Sequence, residues 1–154
     1  MLPLRSIALF LAIVGCATGV SPSAQAGDKI WSAVLLARNV DKPAPPPKEL
    51  KGVADRLERI FGYNSFEIVG SDTRPISDGM KADIKPTKAF WMNVKARQAS
   101  VKEARGGYLL NLELFQKDTP LVDTVAMIAP ESPLFFRGPK HGQGQILVVL
   151  QVVH

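Results

Sequence analysis

Cysteine is almost missing from this chain: Cys16 is the only one among 154 residues. A lone thiol closes no intramolecular disulfide and builds no multi-thiolate zinc site. Histidine is nearly as scarce, with only His141 and His154, so no His-Glu-x-x-His zinc helix exists. No Gly-x-Ser-x-Gly elbow offers a nucleophilic serine. The Gly138-Pro139-Lys140-His141-Gly142-Gln143-Gly144 segment lacks the Gly-Lys-Ser or Gly-Lys-Thr ending of a phosphate loop. It also leads into a strand, not into a helix N-terminus, so the anion-binding physics is missing. No cofactor is expected. No period of 20 to 50 residues recurs, which excludes repeat architectures.

The first 26 residues have a strong character of their own. Met1 to Arg5 is short and weakly basic, Ile7 to Val14 is uninterrupted apolar, and Ser21-Pro22-Ser23 breaks the run. Ala24-Gln25-Ala26 then supplies small residues where a signal peptidase inspects them. These parts, in this order, read as a secretory signal peptide spanning residues 1–26, with a single domain over 27–154. A membrane-spanning helix needs about 20 apolar residues, more than the leader offers, and none is expected after processing. Export places the domain in the periplasm or outside the cell. A rival reading stays open, because Ile13-Val14-Gly15-Cys16 resembles the lipobox of bacterial lipoproteins. It departs from that pattern at Ile13, where Leu is commoner, and at Val14, where a smaller residue is. Under that resemblance Cys16 is lipidated and the domain hangs from a membrane.

The chain carries a net charge of +5, from 19 Lys and Arg against 14 Asp and Glu. The excess concentrates in Lys81, Lys85, Lys88, Lys95, Arg97, Lys102 and Arg105, opposed locally only by Asp83 and Glu103. These seven are the candidate anion-binding residues, for lipid headgroups or an anionic envelope polymer. A set of solvated strand faces is the plainer explanation. The stretch lacks the regularly interleaved aromatics of a stacking platform, so no nucleic acid partner is expected.

Along 27–154, Ile30 to Arg38 is a bulky apolar run that favours a buried strand. Placed at a sheet edge, it would offer free backbone groups to a partner strand. Pro43-Ala44-Pro45-Pro46-Pro47 favours a rigid polyproline connector. Leu50, Val53, Ala54, Leu57, Ile60 and Phe61 then recur at helical spacing, with Pro47 near the start and Gly62 at the stop. Asp55 and Arg59 stand four apart as a favourable pair. After Gly62 come short strands and turns. Ser77-Asp78-Gly79 carries a tight-hairpin signal, and Phe90, Met92, Val94 and Ala96 alternate with Trp91, Asn93, Lys95 and Arg97. Gln145 to Val153 is almost continuously apolar, which suits a central strand buried on both faces. The expected fold is α+β: one amphipathic helix packed on an antiparallel β-sheet meander of about six to seven strands.

The order of a helix, Phe61-Gly62-Tyr63-Asn64-Ser65-Phe66, and strands closing on Leu134-Phe135-Phe136-Arg137-Gly138-Pro139 before Ile146 to Val153 resembles small uncharacterised exported bacterial proteins. The final strand also resembles pieces of outer-membrane secretin channels, a fold-level likeness without functional weight.

The function expected from these residues is a non-enzymatic exported domain that binds or assembles with an envelope protein partner. A polyanion-binding module is one alternative. Another is a hydrolase acting on periplasmic or cell-wall material through His141, or through carboxylates converging from Asp72, Asp78, Asp83, Asp118 and Asp123. Turn positions account for most of these aspartates without catalysis. Trp31, Tyr63, Phe90 and Trp91 are candidates to line a ligand groove, although at strand spacing such residues are more often core. Intact-mass analysis of the protein made by a bacterial host is expected to show a polypeptide beginning at Gly27 without acyl chains. A diacylated chain beginning at Cys16 is the opposite outcome.

Overall fold

The structure is a computed structural model that describes residues 27–103 and 105–154. Residues 1–26, which hold the expected signal peptide and Cys16, lie outside the described residues. Eight strands form two four-stranded antiparallel sheets, not one meander. Sheet A has the order β2-β1-β8-β7, built from β1 (Lys29–Arg38), β2 (Ser65–Pro75), β7 (Leu134–His141) and β8 (Gly144–Val153). Sheet B runs β3-β4-β5-β6, from β3 (Lys81–Ile84), β4 (Phe90–Gln98), β5 (Tyr108–Gln116) and β6 (Thr119–Ile128). Among the described residues the single α-helix is α1 (Ala54–Phe61), between β1 and β2. No helix among the described residues is long and apolar enough to cross a membrane.

The layers follow from which faces carry apolar side chains. Sheet B shows a one-sided alternation: Phe90, Met92, Val94 and Ala96 on β4 and Leu110, Leu112 and Leu114 on β5 are buried. They meet Ile30, Val34, Ile146, Val148, Leu150 and Val152 of sheet A in one core between the sheets. Sheet A is apolar on its other face too. There Ala33, Leu35, Ala37, Leu147 and Val149 pack under Leu50, Val53 and Leu57 of the helical layer. β8 therefore reads as a continuous apolar run because both its faces are covered. Each Leu fully withdrawn from water at Leu50 and Leu57 contributes about 1.5–3 kcal/mol.

Three local expectations need correction. First, β1 is not an edge strand. It pairs with β2 on one side and β8 on the other, so its backbone groups are spent. Second, Ser77-Asp78-Gly79 does not close a hairpin. It carries the chain from sheet A to sheet B, with the Asp78 carboxylate accepting from the Gln98 N–H. Third, the helical region is broken. A 3₁₀ turn (Lys48–Leu50) and a further turn through Gly52 precede α1. Gly52 is a poor helix former, and the shortened helix leaves Ile60 53% exposed. Arg59 Nε donates to the Asp55 carbonyl, not to its carboxylate. Gly62, at φ 75°, ends the helix in the left-handed conformation, and its N–H reaches the Glu58 carbonyl.

The true edges are all interrupted. β2 contains a bulge at Val69, because Val34 faces Gly70 while Leu35 faces Ile68, and it ends at Pro75. β3 has only four residues. β6 carries Pro120 and an extra residue, Leu121, and β7 is irregular around Gly138 and Pro139. Short edges, prolines and bulges all discourage a further strand from joining.

Two polar features pin the ends of sheet A. Beyond the β1–β2 ladder, the Asn39 and Asn64 side chains clasp opposite backbones: Val40 N–H donates to Asn64 Oδ1 and Asn64 N–H to Asn39 Oδ1. At the far end Asp28 accepts from the Tyr108 hydroxyl at 2.8 Å and lies 2.7 Å from His154 Nδ1. One buried hydroxyl, Ser32 Oγ, has no hydrogen-bond partner in the inter-sheet core. Burial, then the bond to Asp28, pushes the Tyr108 phenol up to about 12 from 10.0. A raised folded-state pKa contributes stability that is full below pH 10 and is lost as pH climbs toward 12. Urea unfolding across that window is therefore expected to show a falling midpoint, and Tyr108→Phe is expected to remove this component of the fall.

Candidate ligand-binding site

The helix covers one outer surface of the sandwich; no helix among the described residues covers the outer surface of sheet B. Its side chains stand in cross-strand rows. Lys81 faces Lys95, Lys95 faces Asn111, and Asn111 faces Val125. The next row runs Asp83, Asn93, Glu113, Asp123, and the row beyond it Trp91, Phe115, Pro120. The Cβ atoms of neighbours on one face of a pleated pair lie about 4.5–5.5 Å apart, so each row sets its groups side by side. The Asn93 amide donates to Asp83, tying the acidic row together at its β3 end.

Irregular backbone gathers where the aromatic row meets the turns. Trp91 and Phe115 stack with centroids 4.3 Å apart and planes within 10°. Leu121 bulges out beside them. Lys117 adopts φ 52°, the only non-glycine residue with positive φ among the described residues. Two hydrogen bonds hold that conformation: Trp91 Nε1–H donates to the Lys117 carbonyl, and Lys117 N–H to the Ala89 carbonyl. Bulges and strained residues collect where a chain must aim particular side chains.

The loop between β3 and β4, residues 85–89, closes this end. Asp72 of sheet A accepts from the Lys85 backbone N–H at 2.9 Å, and Phe90 N–H donates to Thr87 Oγ1 at 2.9 Å. Gly70 lets the loop press onto β2: a Cβ there would sit 2.3 Å from the Pro86 carbonyl oxygen. The loop is thus fixed by both sheets. With Trp91 it forms an open pocket of about 340 Å³ lined by Lys85, Thr87 and Lys88. Lys85 Nζ lies 5.8 Å from the centre of the Trp91 ring and 3.7 Å from Asp83. Lys88 makes no ion pair among the described residues.

The seven candidate anion-binding residues occupy several settings. Lys85 and Lys88 share the pocket, and Lys81 faces Lys95 across the β3–β4 ladder. Arg97 is committed to Glu103, 3.1 Å away. Ser100 N–H and Arg97 together hold the Glu103 carboxyl down to about 2. Lys102 is exposed in the β4–β5 connection, and Arg105 lines a separate hollow with Pro130 and Glu131.

The hydrolase candidates scatter. His141 is exposed at the end of β7. Asp72 is engaged by Arg74 and the Lys85 N–H, and Asp78 by Gln98. Asp118 sits in the β5–β6 turn. Asp83 and Asp123 lie on opposite edge strands of sheet B, with Glu113 facing Asp123 between them. That adjacent pair escaped the sequence reading, which gave no reason to join Glu113 to a residue ten positions on. Both project from one open surface, unlike the facing walls that glycoside hydrolysis requires. Of the groove candidates, Phe90 is in the core, Tyr63 packs beside the helix, and Trp31 borders a depression with Ala44, Pro45 and Pro47. Only Trp91 lines the pocket with the lysines. Comparisons with family models, with curated proteins and with solved structures find no match to this chain.

Lys117→Gly tests the strain. Left-handed backbone costs a residue with a side chain about 1–2 kcal/mol, part of which glycine returns through its freer unfolded chain. Net stabilisation of about 0.5–1 kcal/mol is expected, read as a higher urea midpoint at unchanged m-value.

Proposed function

We propose that the chain is an exported, non-enzymatic binding domain of the bacterial cell envelope, and that it binds through the pocket end of sheet B. The observation that carries this reading is the fixed loop beside Trp91. Two lysines, a threonine hydroxyl and an aromatic wall converge there on a site braced by hydrogen bonds from both sheets. Rigid aromatic anchors beside charged groups are how binding sites gain affinity without an ordering cost. The leader-like first 26 residues supply the export half of the proposal. The interrupted edges argue for recognition by side chains over assembly by strand addition.

The test is co-sedimentation of the purified 27–154 domain with isolated cell walls and outer membranes, beside Lys88→Ala and Trp91→Ala. The wild-type domain is expected to pellet with one of these fractions, and both variants to lose most of that binding. Equal pelleting of all three proteins, or of none, counts against the reading.

A further inference from the structure

This inference rests on the binding-domain reading and names its ligand. We propose that the Lys85–Thr87–Lys88–Trp91 pocket binds an acidic sugar residue, and that the neighbouring row on sheet B receives neutral sugars on the same glycan chain.

The pocket's chemistry is divided. The indole N–H is spent on the Lys117 carbonyl, Phe115 stacks on the ring, and Lys85 Nζ stands over it 5.8 Å from its centre, so Trp91 offers the ligand no donor and only the apolar ring surface that borders the pocket beside Lys85. An apolar ring surface suits the C–H face of a sugar. The polar complement is cationic: Lys88 is unpaired among the described residues and Lys85 is held only loosely, 3.7 Å from Asp83. Thr87 Oγ1 already accepts from the Phe90 N–H, so its own proton is free for an acceptor outside the fold. Two ammonium groups and a hydroxyl donor around one aromatic wall fit a carboxylated or sulfated sugar. The volume of about 340 Å³ is near the lower end for small-ligand pockets, roughly 300–1,000 Å³, and holds one such unit.

The surroundings then decide what kind of glycan. Two residues further along β4 lies the row Asp83, Asn93, Glu113, Asp123, and a second depression of about 260 Å³ opens over Asn93, Glu113 and Asp123, with Lys95 and Asn111 of the row beyond on its other side. Carboxylates and amides accept from sugar hydroxyls and repel a second anion. A uniformly anionic polymer running from the pocket along β4 meets that repulsion at the acidic row before it reaches Lys95. A chain in which acidic and neutral sugars alternate does not.

The experiment titrates the ¹⁵N-labelled 27–154 domain with four probes: a hyaluronan tetrasaccharide, a polygalacturonate tetrasaccharide, a neutral chitin tetrasaccharide, and vesicles containing phosphatidylglycerol. Hyaluronan is expected to bind most tightly and to shift Thr87, Lys88 and the Trp91 indole N–H. Lys88→Ala and Trp91→Ala are each expected to weaken it about tenfold. Lys88→Ala lies in an exposed loop and keeps the test valid if Trp91→Ala does not fold. Stronger binding of polygalacturonate or of vesicles overturns the alternating-glycan proposal, and so does chitin binding that Lys88→Ala leaves unchanged. If no saccharide binds while Lys88→Ala still abolishes envelope co-sedimentation, this inference fails and the binding-domain reading survives. Loss of both removes both.

Discussion

The pairing of β1 with β8 is the interaction on which the rest of the structure depends. These two strands form the middle of sheet A, joined along nine consecutive residue pairs from Lys29 with Val153 to Ala37 with Gln145. Both faces of the pair are covered, by the helical layer on one side and sheet B on the other. Every apolar layer touches it. Without it, α1 has nothing flat to rest on, and the sheet B meander has no second sheet to close its core.

That arrangement sets the division of labour between the two sheets. Sheet A spends most of both surfaces on packing, leaving on its outer side the depression beside Trp31. Sheet B buries one surface and presents the other, and its outward rows alternate in chemistry: basic, then acidic with amides, then aromatic. The contact between Gly70 and Pro86 transmits the rigidity of the first sheet to the working end of the second. The pocket loop is therefore part of the scaffold even though it lies at the surface.

Much of this order was legible in the residues. The two-faced burial of Gln145 to Val153, the alternation from Phe90 to Arg97, and the apolar stripe through Leu50, Val53 and Leu57 all appear where their periodicity places them. The split into two sheets was not legible, because Ser77-Asp78-Gly79 has the same local chemistry whether it closes a hairpin or lets the chain change sheets. Ile60 misled for a related reason: the stripe assumed a helix reaching back to Pro47, and the turn through Gly52 shortened it. The basic stretch was visible as composition, but its partition was not. Arg97 is neutralised by a turn residue six positions on, while Lys85 and Lys88 are brought to Trp91 by a glycine on another sheet. Long-range placement of that kind leaves no trace in local spacing.

The antiparallel union of β1 with β8 also has a kinetic meaning. Residues more than a hundred positions apart must find each other before the central layer exists, so the loop-closure entropy is met early and the reward comes late. A ribosome making this chain from its N-terminal end releases β1 long before β8. Until the final strand emerges, the nascent polypeptide can assemble the local meander but not the sandwich. Native structure thus waits for β8, and until it arrives the central layer is an unclosed half.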